Sequence, residues 1–414
     1  MKYLYDILMI FSEKILRLFG NFFGPKVQHF TQGQKQAFQQ LKACLQSGKP
    51  VIWFHVSSLG EYEQALPVIE KIKEQYTDYQ IVLTFFSPSG YEVKKDKTPA
   101  GCVSYLPLDT PANARRFIDL LRPAAAFFVK YDFWPNYLYE LKKQGVPAFL
   151  ISGLFPENHT YFKAYNTWLK KSLEAFTHFF VQDENSKKVL QQNGFSQVTV
   201  TGDTRFDRVY EIARQTGELD FVKAFKQEAP LLVVGSSWPS DEKLLLPYLH
   251  QSGIKFKTII APHDISKRHI QQITTALQKP YILYSQTNDK TSWADFDVLI
   301  IDNIGLLNKI YRYADIVYIG NGFGKSIHNI QEPAVYGVPV ITGPHIEKFR
   351  EAVDLKKLGG LISIHNREEL EKVLNELLTN KKVREEKARI TREYALKNVG
   401  ATDKIIQQLE KYLS

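Results

Sequence analysis

The sequence predicts an α/β protein of two Rossmann-like domains facing a cleft, preceded by an amphipathic helix, and three observations carry that expectation. The chain has 414 residues, too many for one ordinary domain and comfortable for two of about 200, each able to bury roughly 70% of its unfolded surface. From residue 50, short apolar runs alternate with helical periodicity, the pattern of buried parallel strands joined by helices. The same alternation restarts at LLVVGSS (231–237), after a charged stretch over 207–229 that closes on Pro230.

The first element is the segment MKYLYDILMIFSEKILRLFGNFFG. Leu4, Ile7, Leu8, Phe11, Ile15, Leu18, Phe19 and Phe22 form a wide apolar stripe, while Asp6, Glu13 and Arg17 share the opposite side. The charges break any spanning run and no small-residue cleavage site follows, so neither a transmembrane helix nor a signal peptide is expected. The stripe leaves two readings open: a helix docked on the first domain, or one lying in a bilayer interface.

The first domain's strands are expected at PVIWFHV, YQIVLTFF, AAAFFVK, PAFLIS, HFFVQD and VTVTGD, with helices over about Glu61 to Tyr76 and Trp134 to Gln144. The second domain's are LLVVGSS, KTIIAPHD, YILYSQ, DVLIID, ADIVYIGN and VPVITGP. From Arg367 onward the chain is charged and helix-forming, with Gly400 as its break. The expected organisation is therefore an N-terminal helix over 1–25, domains over 26–206 and 231–395, a linker over 207–230, and a C-terminal helix over 396–414. That last helix either packs on the second domain or crosses back to the first.

Composition bounds the function. With 44% hydrophobic, 23% charged and 13% aromatic residues, the chain is that of a packed globular protein, which excludes disorder and a polytopic membrane protein. Fifty-three basic against 44 acidic residues leave +9, and an excess of that sign favours an anionic partner. The basic residues are dispersed, with no arginine-rich arm or zinc-finger spacing, so nucleic acid is not the expected one. Cys44 and Cys102 stand alone and far apart, which supports neither a disulfide framework nor a structural zinc and points to a reducing compartment.

Ligands of open α/β sheets bind outside the carboxyl ends of the strands, and four such loops are chemically unusual. In Ser57-Ser58-Leu59-Gly60-Glu61 the glycine permits a tight strand-to-helix turn, and Glu61 is either a capping acid or a general base. Asp132 follows a strand and precedes Trp134-Pro135, the position of a cap. The turn TGDTRFD closes the first half and carries Arg205 towards the cleft. Gly320, Gly322 and Gly324 follow a strand, where free amides and a helix N-terminus can hold an anion. Glu332-Pro333 belongs in a first helical turn, where the carboxylate can accept ribose hydroxyls. The dinucleotide glycine pattern fails at Lys325, the P-loop pattern fails at Ile319, and no GxSxG, HExxH or deaminase signature occurs.

An acid in the first half and an anion-binding loop with Glu332 in the second are the constellation of a B-type (GT-B) nucleotide-sugar glycosyltransferase. Nine blocks in order carry a more specific resemblance: WFHVSSLGEYEQALPVI, DFWPN, GDTRFD, GSSWPSDE, APH with Arg268, DNIGLL, YRYADIVYIGNGF, HNIQEPA and GVPVITGPH. On these the chain resembles the 3-deoxy-D-manno-octulosonic acid (Kdo) transferases of lipid A biosynthesis, over nearly its whole length. The resemblance implies inverting transfer of Kdo from CMP-Kdo to a hydroxyl of the tetraacylated lipid A precursor (lipid IVA), at the cytoplasmic face of the inner membrane, without a metal or other cofactor. It places the acceptor on the N-terminal half and CMP on the C-terminal half. It makes Glu61 the general base, with Asp132 as assistant. It gives the CMP phosphate and ribose to Ser236, Ser237, His263, Arg268, Gly322, Gly324, His328, Asn329 and Glu332. A ketose donor bearing a carboxylate also calls for a basic contact, for which Arg205 and Lys325 are candidates. The chain departs from the family pattern at Lys130, His263, Leu306 and Ser326-Ile327. A lipid acceptor turns the open question of the N-terminal helix towards membrane association, which the positive charge favours. The rival expectation is a UDP-sugar transferase or 2-epimerase of the same architecture.

Overall fold

The structure, a computed structural model, describes residues 1–215, 217–324 and 326–413, without the side chain of Asn21. The chain divides into two compact units, Met1–Arg208 with Val399–Ser414, and Val209–Asn398. Each is built on a seven-stranded parallel sheet.

In the first unit the strands are β1 Val51–Val56, β2 Gln80–Phe85, β3 Cys102–Tyr105, β4 Pro123–Val129, β5 Ala148–Gly153, β6 Phe176–Val181 and β7 Val198–Val200, in the order β3-β2-β1-β4-β5-β6-β7. Helices cover both faces, so β1 and β2 are buried along their whole length and read as continuous apolar runs rather than alternating ones. One core cluster gathers Trp53, Phe117, Phe128 and Tyr137, and another gathers Phe54, Tyr62, Phe85 and Phe127. The chain order reverses direction between β1 and β4, and the carboxyl ends of those two strands form the topological switch point.

The second unit repeats the plan with β8 Leu231–Ser237, β9 Lys257–Pro262, β10 Tyr281–Leu283, β11 Val298–Ile300, β12 Ile316–Ile319, β13 Val340–Thr342 and β14 Leu361–Ser363. Their order is β10-β11-β9-β8-β12-β13-β14, which puts the switch point between β8 and β12. Backbone in the left-handed region marks these strand ends: Lys130 after β4 (φ 61°), Ser236 in β8 (φ 53°) and Asn321 after β12 (φ 67°). Non-glycine residues hold such angles only where their surroundings enforce them.

The N-terminal helix Lys2–Phe19 settles one of its two open readings. Its polar side makes the attachment: Lys2 Nζ donates to Asn136 Oδ1 at 2.9 Å, Asn136 Nδ2 to Asp6 Oδ1 at 2.9 Å, and the Tyr5 hydroxyl to Asp109 Oδ2 at 2.8 Å. The apolar stripe is left facing outward, with Leu4, Ile7, Leu8, Phe11, Leu18 and Phe22 between 55% and 84% exposed. The stripe therefore does not dock on its own unit. Among the described residues no helix is long and apolar enough to cross a membrane.

The expectation of two unpaired cysteines is corrected. Cys44, ending the helix Pro25–Cys44, and Cys102, opening β3, form a disulfide with their Cα atoms 5.4 Å apart. The two lie 58 positions apart in sequence and meet because that helix packs along β3, a strand the sequence pattern did not announce.

At the other end, Gly400 (φ 97°) breaks the helical run and the helix Ala401–Leu409 packs on the helix Leu59–Gln75 of the first unit. Asp207 holds its start by accepting from Gly400 N (2.5 Å), Thr402 N (2.6 Å) and Thr402 Oγ1 (2.6 Å). Ile405, Ile406, Leu409 and Leu413 complete the core beside Phe149.

Candidate functional site

Glu61 lies in the first turn of the helix Leu59–Gln75, directly after β1. Ser58 caps that helix and Glu61 reciprocates in a capping box, its Oε2 accepting from Ser57 N at 2.6 Å and Ser58 N at 3.0 Å. The carboxylate is only 9% exposed. Burial first, and then the charge of Asp132, push its pKa above the usual carboxylate range, against the opposing pull of the serine amides and His55. It is an acid with enhanced affinity for a proton at the end of a central strand.

Asp132 belongs to the adjoining loop, after β4 and ahead of the helix Pro135–Lys143. Its Oδ2 accepts from the Ser57 hydroxyl at 2.5 Å and lies 2.8 Å from His55 Nε2. Burial favours its neutral form, but His55 and the hydrogen bonds from Ser57 and Trp134 outweigh it and hold the carboxyl below the usual range. Asp132 makes no cap to the helix that follows it; Trp134 occupies the cap position. The structure thus joins Glu61 and Asp132 through one residue, Ser57, whose amide serves the first and whose hydroxyl serves the second.

Arg205, at the head of the helix Arg205–Gln215, is engaged by the buried Asp203, with Nη2 at 2.6 Å and Nε at 3.0 Å from Oδ2. Gln64 Nε2 donates to the same oxygen at 3.1 Å, so the pair is fixed to the helix that carries Glu61.

In the second unit Ser236, His328, Asn329 and Glu332 share a cavity of about 310 Å³ with Asn308 and Tyr311. The cavity opens at the β8/β12 switch point, and Glu332 sits in the first turn of the short helix Gln331–Val335. Asn329 Nδ2 lies 3.4 Å from Glu332 Oε1. His263 stacks on Trp238 with ring centroids 4.6 Å apart and meets His328 at 4.7 Å. Burial, and then the neighbouring His263, push the His328 pKa down to about 4, so its imidazole is neutral at physiological pH.

The remaining donor-site candidates are placed differently. The Ser237 hydroxyl is buried and donates to Glu242 at 2.8 Å, away from the cavity. Arg268 lies exposed in the first turn of the helix Lys267–Ala276. Gly322 has a packing reason for being glycine: a Cβ there would lie 2.3 Å from the backbone nitrogen of Gly343. The amide of Gly324 donates to Asn321 O at 2.9 Å, closing a turn rather than presenting itself to an anion. Lys325 lies outside the described residues.

Sequence reasoning passed over His55, Trp238 and Asp241. Asp241 accepts from Trp238 N (2.9 Å), Asn321 N (2.8 Å) and Tyr318 Oη (2.8 Å), tying the β8 loop to the β12 loop. The available signal for His55 was a polar residue inside a fully apolar strand, two positions before the serine loop.

Two seven-stranded parallel-sheet units, one ending in a carboxylate site and the other in a polar cavity at its switch point, have the architecture of the GT-B fold. Solved structures agree on the fold: UDP-GlcNAc 2-epimerase from Neisseria meningitidis aligns with TM-score 0.61 over 88% of this chain and 100% of that one at 15% identity. MurG from Acinetobacter baumannii aligns with TM-score 0.56 over 88% and 99%, also at 15% identity. Residues 31–208 match the family model described as 3-deoxy-D-manno-octulosonic-acid transferase (kdotransferase). The 3-deoxy-D-manno-octulosonic acid transferase of Chlamydia trachomatis is 29% identical over 92% of this chain and 90% of its own length. That of Haemophilus influenzae is 24% identical over 100% and 99%. The chain is a homologue of the Kdo transferases, as its sequence blocks implied.

Proposed function

We propose that this protein transfers Kdo from CMP-Kdo to a hydroxyl of a tetraacylated lipid A precursor, with inversion, in lipopolysaccharide inner-core synthesis at the cytoplasmic face of the inner membrane. The observation that carries the reading is the Glu61–Asp132 pair at the β1/β4 switch point, where a buried carboxylate with raised proton affinity meets a second one held ionised. Environments that push two acids apart assign their roles. Glu61 takes the proton of the acceptor hydroxyl as its oxygen bonds to the ketose carbon, and the bond from that carbon to the CMP phosphate oxygen breaks. Asp132 keeps its charge and favours the developing oxocarbenium.

CMP departs as a phosphate monoester whose charge needs donors. Ser236, His263 and Arg268 are assigned to it, with Glu332 and Asn329 to the ribose in the 310 Å³ cavity. The neutral His328 offers a hydrogen bond without adding charge. Arg205, oriented by Asp203, is assigned to the Kdo carboxylate. The outward apolar stripe of the N-terminal helix supports docking on the bilayer that holds the acceptor's acyl chains.

The test is incubation with the tetraacyl precursor and CMP-Kdo generated in place, read by mass spectrometry for added Kdo units. Wild type is expected to add Kdo, and Glu61→Ala to lose at least about 100-fold of the rate while CMP still raises its melting temperature. Absence of transfer by wild type, or stabilisation by UDP and not by CMP, overturns the reading.

A further inference from the structure

Strand β1 carries one polar side chain into the interior of the first unit, His55, which is fully buried. A buried imidazole needs a partner for each ring nitrogen. Nδ1 lies 2.9 Å from Thr84 Oγ1 on β2, and Nε2 lies 2.8 Å from Asp132 Oδ2 in the loop after β4.

The hydrogen bonds around the ring bear on its tautomer. The Thr84 hydroxyl oxygen accepts the Trp53 indole N–H at 2.8 Å, and its own proton has two uses: the Phe54 carbonyl at 3.3 Å or His55 Nδ1 at 2.9 Å. The shorter contact has the better geometry. With Nδ1 accepting, Nε2 carries the proton and points it at Asp132. The Trp134 indole N–H is directed at the same Nε2, 2.9 Å away, and is also hydrogen-bonded to Asp132. With the proton on Nε2 directed at Asp132, that indole N–H is left to the Asp132 carboxylate alone.

A continuous chain results, from Trp53 through Thr84, His55 and Asp132 to Ser57, whose amide holds Glu61. We propose that His55 is a positioning residue for the transfer reaction, donating its Nε2 proton to Asp132 so that Asp132 and Glu61 are held as one two-carboxylate unit. The inference rests on the transfer reading above. It does not make His55 a group that touches substrate. The groups that feel the charge of Asp132 include Glu61 and the Tyr161 phenol, which burial keeps protonated.

Two substitutions separate positioning from mere packing. In His55→Gln the side-chain amide reaches where Nε2 lies and still donates to Asp132; in His55→Asn it reaches only the Nδ1 position, towards Thr84. His55→Asn is expected to lower kcat by about 10- to 100-fold with KM for CMP-Kdo changed less than about twofold, whereas His55→Gln stays within about fivefold of wild type. Asp132→Asn and His55→Asn together are expected to be no slower than Asp132→Asn alone, since the one acts through the other. Equal loss in His55→Asn and His55→Gln, or losses that multiply with Asp132→Asn, overturns the proposal.

A readout independent of turnover, and of how either His55 variant folds, is histidine-selective ¹⁵N NMR of the full chain. Wild type is expected to show His55 as the Nε2–H tautomer, with that resonance displaced in Asp132→Asn. An Nδ1–H tautomer overturns the proposal whatever the kinetics. Conversely, a wild type that transfers no Kdo but shows the Asp132-dependent Nε2–H signal sinks the transfer reading and leaves the contact standing.

Discussion

Glu61 holds two positions that act on its proton in opposite directions. As the acid of a capping box it receives two backbone N–H groups, which favour its charged form; buried beside Asp132 it is pushed towards neutrality, and burial prevails. The sign of the resulting pH dependence is determined. A general base works only when ionised, so kcat/KM must fall as pH drops through the raised pKa, placing the acid limb above the ordinary glutamate value. Asp132→Asn removes one of the two raising influences, and the limb is expected to move to lower pH even as the rate falls. A limb that stays in place or moves up in a pH–rate profile contradicts the coupling. The sequence left Glu61 as cap or base; the structure makes it a cap, and its raised proton affinity supports the base role proposed for it alongside that geometry. Asp132 was legible by place, though its expected cap belongs to Trp134. His55 was hidden because in a strand buried on both faces every residue points inward, so periodicity marks none of them.

At the scale of elements, every strand was legible except one edge of each sheet, the opposite edges β7 and β10 being read from VTVTGD and YILYSQ. Cys102–Tyr105 and Leu361–Ser363 went unread: both are edge strands of three or four residues whose apolar positions are interrupted by serine, leaving no apolar run to mark them. The missing edge also explains the cysteines, since without β3 nothing brings Cys102 near Cys44. The N-terminal helix was legible as amphipathic, but amphipathicity does not say which side is attached. Contrary to the usual arrangement, its polar side is tethered by Lys2, Tyr5 and Asp6, and Phe11 and Leu18 stand 60% and 70% exposed. The double variant Phe11→Glu/Leu18→Glu is therefore expected to keep the wild-type melting temperature while losing at least about tenfold in cosedimentation with anionic phospholipid vesicles. A large drop in melting temperature, or unchanged vesicle binding, would show that the stripe serves packing instead.

For the whole molecule, two sheets with the same switch-point plan were legible because the apolar-run grammar starts twice, and the solved neighbours confirm that fold. The sequence left open whether the last helix packs on the second domain or crosses back to the first; it crosses back, so the first unit is discontinuous, built from residues 1–208 and 399–414. Asp207 supplies the join, receiving three hydrogen bonds from Gly400 and Thr402 while 8% exposed. Asp207→Ala leaves two amides and a hydroxyl without their acceptor. It is expected to lower the stability of the first unit by roughly 2 to 4 kcal/mol, measured by urea unfolding followed through tryptophan fluorescence. A change below about 0.5 kcal/mol would mean that the apolar contacts of Ile405, Ile406 and Leu409 suffice alone.

That discontinuity sets an order of events at the ribosome. The N-terminal unit emerges first but stays open along the flank of the helix Leu59–Gln75 until translation has delivered residues 399–414. A chain interrupted just before residue 399 has a second unit that is whole and a first that is unfinished, a state that quality-control proteases can recognise by the apolar groove left uncovered without Ile405, Ile406 and Leu409.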